Sequence, residues 1–178
     1  MLGSTLRAEE TDAIMLRHYS TALHATWLGW AVAGGIPWLW PLFATLHFFG
    51  MALLIGCVGI RDLRMLGVGK ALPVGPMERL MPWGFFGFVI TVITGIGFYA
   101  GSPEQYQSLA FAAKMAWIVL AGANVTWFYM AGIARTVDAV GAGQDAPVAA
   151  KLSAAASLFL WFGVMFWGRM LSFFSNAF

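Results

Sequence analysis

The feature that most constrains this chain is the apolar segment 37–60, which contains no Asp, Glu, Lys or Arg. As an α-helix, a segment of this length extends about 36 Å, because each residue adds about 1.5 Å along the helix axis. The hydrocarbon core of a bilayer is about 30 Å thick, so such a helix crosses it. His47 lies near the middle of the segment. An ionisable side chain at membrane depth is a functional-site hypothesis by default.

The composition agrees with a membrane protein and excludes several other classes. Of 178 residues, 60% are hydrophobic and 10% are charged, whereas soluble domains carry about 25% charged residues. The net charge of +2 gives no electrostatic footprint for nucleic acid. The single cysteine, Cys57, excludes an internal disulfide and a thiolate metal cage. Motifs of hydrolases and nucleotide enzymes are absent from the sequence.

Four apolar segments predict an all-α membrane protein, a four-helix transmembrane bundle in one domain covering 37–178. The segments are separated by short stretches rich in Gly, Pro and charged residues, which end helices. Residues 1–36 are predicted to form a polar tail and an amphipathic or half-inserted interfacial helix at 12–34 that leads into the first span. The predicted spans are 37–60, 80–101, 109–134 and 149–174.

Basic residues are concentrated in and beside two predicted connections that share one side of a four-span chain. The positive-inside rule places these connections in the cytoplasm. We therefore expect a multi-pass protein of the bacterial inner membrane, with the N-terminal helix, the 102–108 turn and both termini on the periplasmic side. The basic residues concerned are Arg61, Arg64, Lys70, Arg79, Arg135 and Lys151.

Four ionisable side chains are expected to meet in the outer half of the bundle: His47, His24, Lys114 and Arg169. Haem iron takes imidazole ligands and its propionates pair with cations. His47 and His24 are therefore candidate metal ligands, and Lys114 and Arg169 candidate propionate partners, for a b-type haem. A quinone fits the same region, because its oxygens need a histidine and a hydroxyl or amide, and Trp117, Trp161 and Trp167 could form aromatic walls.

Each of these residues also has a purely structural interpretation. His47 could hydrogen-bond to Asn124 or Thr45, and Lys114 and Arg169 could extend their charged ends to the membrane interface. Asn124 could join two helices by a hydrogen bond. We expect Asp62 to pair with the flanking arginines at the cytoplasmic end of the first span and not to act as a proton acceptor.

Five short motifs resemble an uncharacterised bacterial family of four-span membrane proteins. The family pattern is L-H-x-x-G, D-L-R-x-L-G, F-x-x-K, N and G-R-x-L in that order, and the match covers about 37–174. In this chain the motifs are L-H-F-F-G at 46–50, R-D-L-R-M-L-G at 61–67, F-A-A-K at 111–114, A-G-A-N at 121–124 and W-G-R-M-L at 167–171.

The layout is similar to copper-resistance protein D membrane domains and to small membrane protoporphyrinogen oxidases, some of which bind haem. The resemblance implies a redox role, with Asn124 and Tyr129 near the cofactor. Tyr129 stands where the family often has histidine, which predicts an altered site in which His24 substitutes or haem is absent.

The sequence therefore predicts a small membrane redox subunit that binds b-type haem or quinone. A catalytic centre is not evident in the sequence, which leaves open whether the protein is an enzyme. It would contact lipid and relay electrons between a periplasmic redox partner and the quinone pool. One alternative is a cofactor-free accessory subunit of a larger membrane complex, since the second predicted span is rich in small residues such as Gly95 and Gly97. Transport of a small solute is a third class, with a thin set of inward polar groups and no visible repeat.

Overall fold

The protein is all-α in the computed structural model, which describes residues 15, 18–19, 21–23 and 25–174. Within these ranges no strand occurs. Four helices are long and apolar enough to cross a bilayer, which confirms the predicted bundle and makes the chain a multi-pass membrane protein. The four spans are α2 (Leu39–Met65), α3 (Met81–Gly101), α4 (Leu109–Met130) and α6 (Val148–Phe174), with two short helices, α1 (Trp27–Trp30) and α5 (Ile133–Asp138).

The ends of the spans differ from the sequence prediction in the two basic connections. Helix α2 continues five residues past the predicted end at 60, so its last turns carry Arg61, Asp62 and Arg64. These three side chains are buried, because the connections 66–80 and 131–147 fold over them. The predicted loop 135–147 begins inside α5, which starts after Gly132 takes a positive φ of 73°. We call this end of the bundle the basic end, and the opposite end the His47 end.

The segment before the first span is not one continuous helix. Its described residues up to 23 are helical, and the chain turns at Ala25 and Thr26. The Thr26 hydroxyl then caps α1 by accepting a hydrogen bond from the Gly29 amide at 3.1 Å. A π-helical turn follows (Ala31–Gly35), and Gly34 ends it with a φ of 126°. Val32 in this turn is fully buried against Gly101, so this segment packs on the end of α3.

The spans pack as two pairs, α2 with α3 and α4 with α6, and α2 also contacts α6. Gly50 and Gly87 bring α2 and α3 together, because a Cβ on Gly87 would lie 2.6 Å from the Gly50 carbonyl oxygen. Gly163 on α6 likewise accommodates the Trp117 ring of α4. Although α3 and α4 are consecutive, they make few direct contacts. At the His47 end, the rings of Tyr99 on α3 and Phe111 on α4 stack with 6.0 Å between centroids. We call the region between the two pairs at this end the cleft.

Candidate functional site

His47 is held in one orientation by the neighbouring span. Its Nδ1 lies 2.8 Å from the Thr94 hydroxyl oxygen on α3. That hydroxyl has one proton, which it donates to the Ile90 carbonyl at 2.7 Å. With the hydroxyl proton on that carbonyl, Thr94 accepts from His47 Nδ1–H, and the neutral imidazole keeps its lone pair on Nε2. The backbone of Thr91 also interacts with the ring.

An aromatic side chain of α3 packs against the half-buried imidazole. The Phe98 ring packs against it edge to face, with 5.6 Å between ring centroids. Trp40 packs on Phe98 in turn, at 4.8 Å. Gly95 keeps one edge of the ring open, because even an added Cβ would stop 3.8 Å from its Cε1 atom. The result is an apolar wall with one polar atom, a surface suited to a flat ligand with a single hydrogen-bonding group on that side.

Lys114 supplies a charge from the other side of the cleft. It is half-buried on α4, within electrostatic range of His47. Its Nζ passes beside Gly168 on α6, 3.8 Å from where a Cβ would stand. No carboxylate among the described residues pairs with this ammonium group. A histidine ring and an ammonium group thus lie within electrostatic range of each other across the region between the two pairs.

The structure does not place Arg169 or His24, the other two predicted site residues, beside His47 and Lys114 in the described part of the chain. Arg169 follows Gly168 on α6 but is exposed, with no hydrogen bond or ion pair to a described residue. His24, the predicted second ligand, lies outside the described residues. His18 is exposed. Among the described residues, no three His, Cys, Asp or Glu side chains are grouped so as to hold a metal ion.

Asn124 and Tyr129 make their contacts away from His47. Asn124 joins α4 to α6: its amide donates to the Ser153 carbonyl at 3.1 Å and accepts from the Ser153 hydroxyl at 3.2 Å. Tyr129 lies at the basic end, where its hydroxyl donates to Glu78 at 2.9 Å and accepts from Arg61 at 3.3 Å. Arg61 follows His47 by 14 positions on α2, about 21 Å along the helix. Tyr129 therefore does not share a site with His47.

The charged cluster of α2 is arranged differently from the predicted ion pairing. Arg61 pairs with Glu78 at 2.7 Å and lies 3.9 Å from Asp138. Arg64 is 2% exposed and donates to backbone carbonyls of both basic connections. Asp62 makes no ion pair with a described residue, so the expected pairing with its two neighbours is wrong. The arginines turn away because the folded connections offer them other acceptors.

The residues of the His47 cleft offer different contacts to a haem and to a quinone. For a haem, the described residues offer one axial ligand, His47 Nε2, and one propionate partner, Lys114. The Nδ1–H···Thr94 bond is the type of outer contact that orients a ligating histidine. For a quinone, the same two side chains are of the types that bond to ring oxygens, and Phe98 is an aromatic neighbour of His47. The quinone would need no ligand from outside the described residues.

Comparison of the chain with protein-family models, with curated proteins and with solved structures finds no match.

Proposed function

We propose that this chain is a small membrane redox subunit that binds a quinol in the cleft between His47 and Lys114. The observation that carries the proposal is the hydrogen bond between His47 and Thr94. Thr94 holds the ring through Nδ1, and we propose that Nε2 is the base. A base held in this way, beside an ammonium group that pairs with no described carboxylate, suits the binding of a group that gives up protons when it is oxidised.

A quinol bound here would supply two electrons and two protons on oxidation to the quinone. His47 Nε2 would accept a hydrogen bond from one quinol hydroxyl and take its proton, while Thr94 holds the ring that becomes cationic. Lys114 would donate to the second oxygen and stabilise negative charge there once the second proton has left to bulk water. Phe98 and Trp40 exclude water from the face of the ring. The electrons leave to a partner protein, since no second redox group is evident in the sequence.

A b-type haem is the second candidate. The His47 Nε2 atom would then bind the iron through its lone pair, and Lys114 would hold a propionate. A second axial histidine would be His24. We propose a location in the bacterial inner membrane, with the basic connections in the cytoplasm and the His47 cleft in the periplasmic half. The partner would then be a periplasmic or membrane redox protein.

Quinone binding can be measured with the purified protein in mild detergent, by quenching of tryptophan fluorescence with a short-chain quinone. We expect saturable binding that weakens at least about tenfold, about 1.4 kcal/mol, in His47→Ala and in Lys114→Met. Thr94→Val should weaken binding less, because it frees the ring without removing it. His18→Ala is the matched control, since His18 is exposed outside the cleft.

A haem would be recognised in the same samples by its visible spectrum, lost in His47→Ala and kept in His18→Ala. If wild type shows neither saturable quinone binding nor haem, the redox proposal is refuted. The accessory-subunit alternative would then account for the chain, with mutational sensitivity concentrated at packing glycines such as Gly87.

A further inference from the structure

A small cavity with a mainly apolar wall lies at the basic end, about 20 Å from His47 along α2. Its volume is about 50 Å³, and four helices contribute to its wall. Asp62 lines the cavity, is 5% exposed, and keeps its Oδ2 atom without a hydrogen-bond partner among the described residues. Its carboxylate interacts with Ser157 on α6. A cavity of this size has room for a few water molecules that could reach the free oxygen.

The two arginines near Asp62 bind other groups. Arg61 shares the cavity wall, but its guanidinium group pairs with Glu78 and faces Asp138. Arg64 is held by carbonyl oxygens. Neither α3 nor α6 adds a charged group to the wall: Met81 comes from α3, Ser153 and Ser157 come from α6, and α4 adds Asn124 and Tyr129. Three carboxylates therefore face one arginine, and Asp62 is the buried one.

A buried carboxylate without its own counter-ion is unfavourable in a low-dielectric environment and is neutralised by binding a cation or a proton. Arg61 already places a positive charge in the cavity wall, which opposes a metal cation there. A proton avoids this repulsion because it forms an O–H bond on the carboxylate itself. The resulting hydroxyl can donate to Ser157 or to water in the cavity.

A route for protons leads from the surface of the basic end to the cavity. The Glu78 side chain is 40% exposed. It accepts a hydrogen bond from the Tyr129 hydroxyl at 2.9 Å, and Tyr129 is also part of the cavity wall. Glu78 can take a proton from bulk water, and Tyr129 or a cavity water can pass it on. The exposed Glu78, the Tyr129 hydroxyl, the cavity and the buried Asp62 thus form a series from the surface inward.

We propose that Asp62 is a proton-binding site reached from the basic end through Glu78, Tyr129 and the cavity. Hydronium gives its proton to the Asp62 carboxylate, forming one O–H bond and releasing one water molecule, and the reverse step returns the proton. The proposal is independent of any cofactor at His47. It gives this end of the membrane protein an exchangeable proton, which the redox proposal does not assign.

Infrared spectroscopy of the full chain in lipid tests the site directly. Difference spectra between acidic and alkaline buffer, about pH 5 and about pH 9, should contain the C=O band of a protonated carboxylic acid in an apolar site. The band should shift in D₂O and disappear in Asp62→Asn. Asp145→Asn is the matched control, because Asp145 is exposed and pairs with Lys70 and Lys151 at 2.8 Å each. The band should remain in this variant.

Two further variants complete the test. Asp62→Glu keeps the acid and should move the band without abolishing it, which separates loss of the group from loss of the fold. Tyr129→Phe should slow exchange of the Asp62 proton with D₂O severalfold while leaving the band. An Asp62→Asn spectrum identical to wild type would overturn the proposal. A carboxylate signal that responds to added sodium and not to pH would overturn it as well, in favour of a metal cation.

Discussion

Replacing Arg64 by lysine should destabilise the protein strongly even though the charge is retained. Arg64 ends α2 and is almost completely buried beneath the basic connections. Its Nε donates to the Leu72 carbonyl, and one terminal nitrogen reaches the carbonyls of Lys70 at 3.3 Å, Gly141 at 3.1 Å and Gln144 at 3.3 Å. The guanidinium group thereby joins residues 70–72 to residues 141–144. These two segments are distant in sequence. The Gly143 amide also donates to the Lys70 carbonyl at 2.7 Å, so Arg64 adds to a contact between the backbones.

The expected magnitude follows from the number of hydrogen bonds that lysine cannot make. A hydrogen bond to a charged group contributes about 1.5–3 kcal/mol net. The guanidinium plane directs donors to opposite sides, whereas a single ammonium nitrogen on a different stem reaches one side. Loss of the contacts to one connection, with partial compensation by water, should lower the free energy of unfolding by about 2–4 kcal/mol. That corresponds to roughly a 30- to 700-fold change in the equilibrium constant.

Equilibrium unfolding in mixed micelles, with increasing denaturing detergent, measures this change. Arg135→Lys is the matched control, because Arg135 is exposed on α5 at the same end of the bundle. The control should stay within about 0.5 kcal/mol of wild type. If Arg64→Lys is as stable as Arg135→Lys, then Arg64 does not hold the connections together and the argument from its carbonyl contacts is wrong.

Three further predictions test the packing of the bundle. Gly87→Ala should cost about 1–3 kcal/mol, since its Cβ would press on the Gly50 carbonyl, while Gly56→Ala, with open space around it, should be neutral or slightly stabilising in the same unfolding assay. Asn124→Ala should cost about 0.6–1.7 kcal/mol by removing both bonds to Ser153, whereas Ser153→Ala keeps the bond to the backbone carbonyl and should cost less. Burial raises the pKa of Tyr106 from 10.0 to about 12; the folded protein then keeps a proton that the unfolded chain loses, so stability should fall as pH rises through this window. An ultraviolet titration should lose a phenolate step near pH 12 in Tyr106→Phe and keep it in Tyr19→Phe.

The number and the approximate position of the spans could be predicted because length and lack of charge decide membrane crossing. The ends could not be predicted in the same way. Charged residues that are solvated indicate the end of a span, yet α2 continues through Arg61, Asp62 and Arg64. Arg64 is buried because it binds carbonyl groups near residues 70 and 141. No local sequence pattern predicts a contact between segments so far apart.

The candidate site stays a prediction of which the structure shows the surroundings. His47 and Lys114 stand out as ionisable residues inside apolar segments, and the structure places them within electrostatic range of each other. The partner of His47 was not predictable: Thr45 donates to the Pro41 carbonyl within its own helix, and Asn124 bonds to Ser153, so Thr94 is the residue that holds the ring. The spans are apolar on every side, and their sequences therefore do not reveal which faces meet.

Tyr129 lies at the basic end and not at the His47 end, so its role differs from the one that the resemblance implies. The resemblance to four-span redox proteins places it near a cofactor, whereas in the structure its hydroxyl connects Arg61 with Glu78 at the basic end. A membrane protein with a base in one half and a buried acid in the other has two places where protons can bind. Whether oxidation at His47 alters the Asp62 band is a question that the infrared experiment can answer once a quinone is bound.

The most direct test of the redox account is the cofactor content of the protein extracted from native membranes in mild detergent. Quinone is quantified in the organic extract, and haem in the reduced-minus-oxidised visible spectrum, for wild type beside His47→Ala. The account predicts about one quinone, or one haem, per chain in wild type and a loss of most of it in the variant. A wild-type sample with no haem, and with no more quinone than a redox-inactive membrane protein purified in the same way, would contradict it.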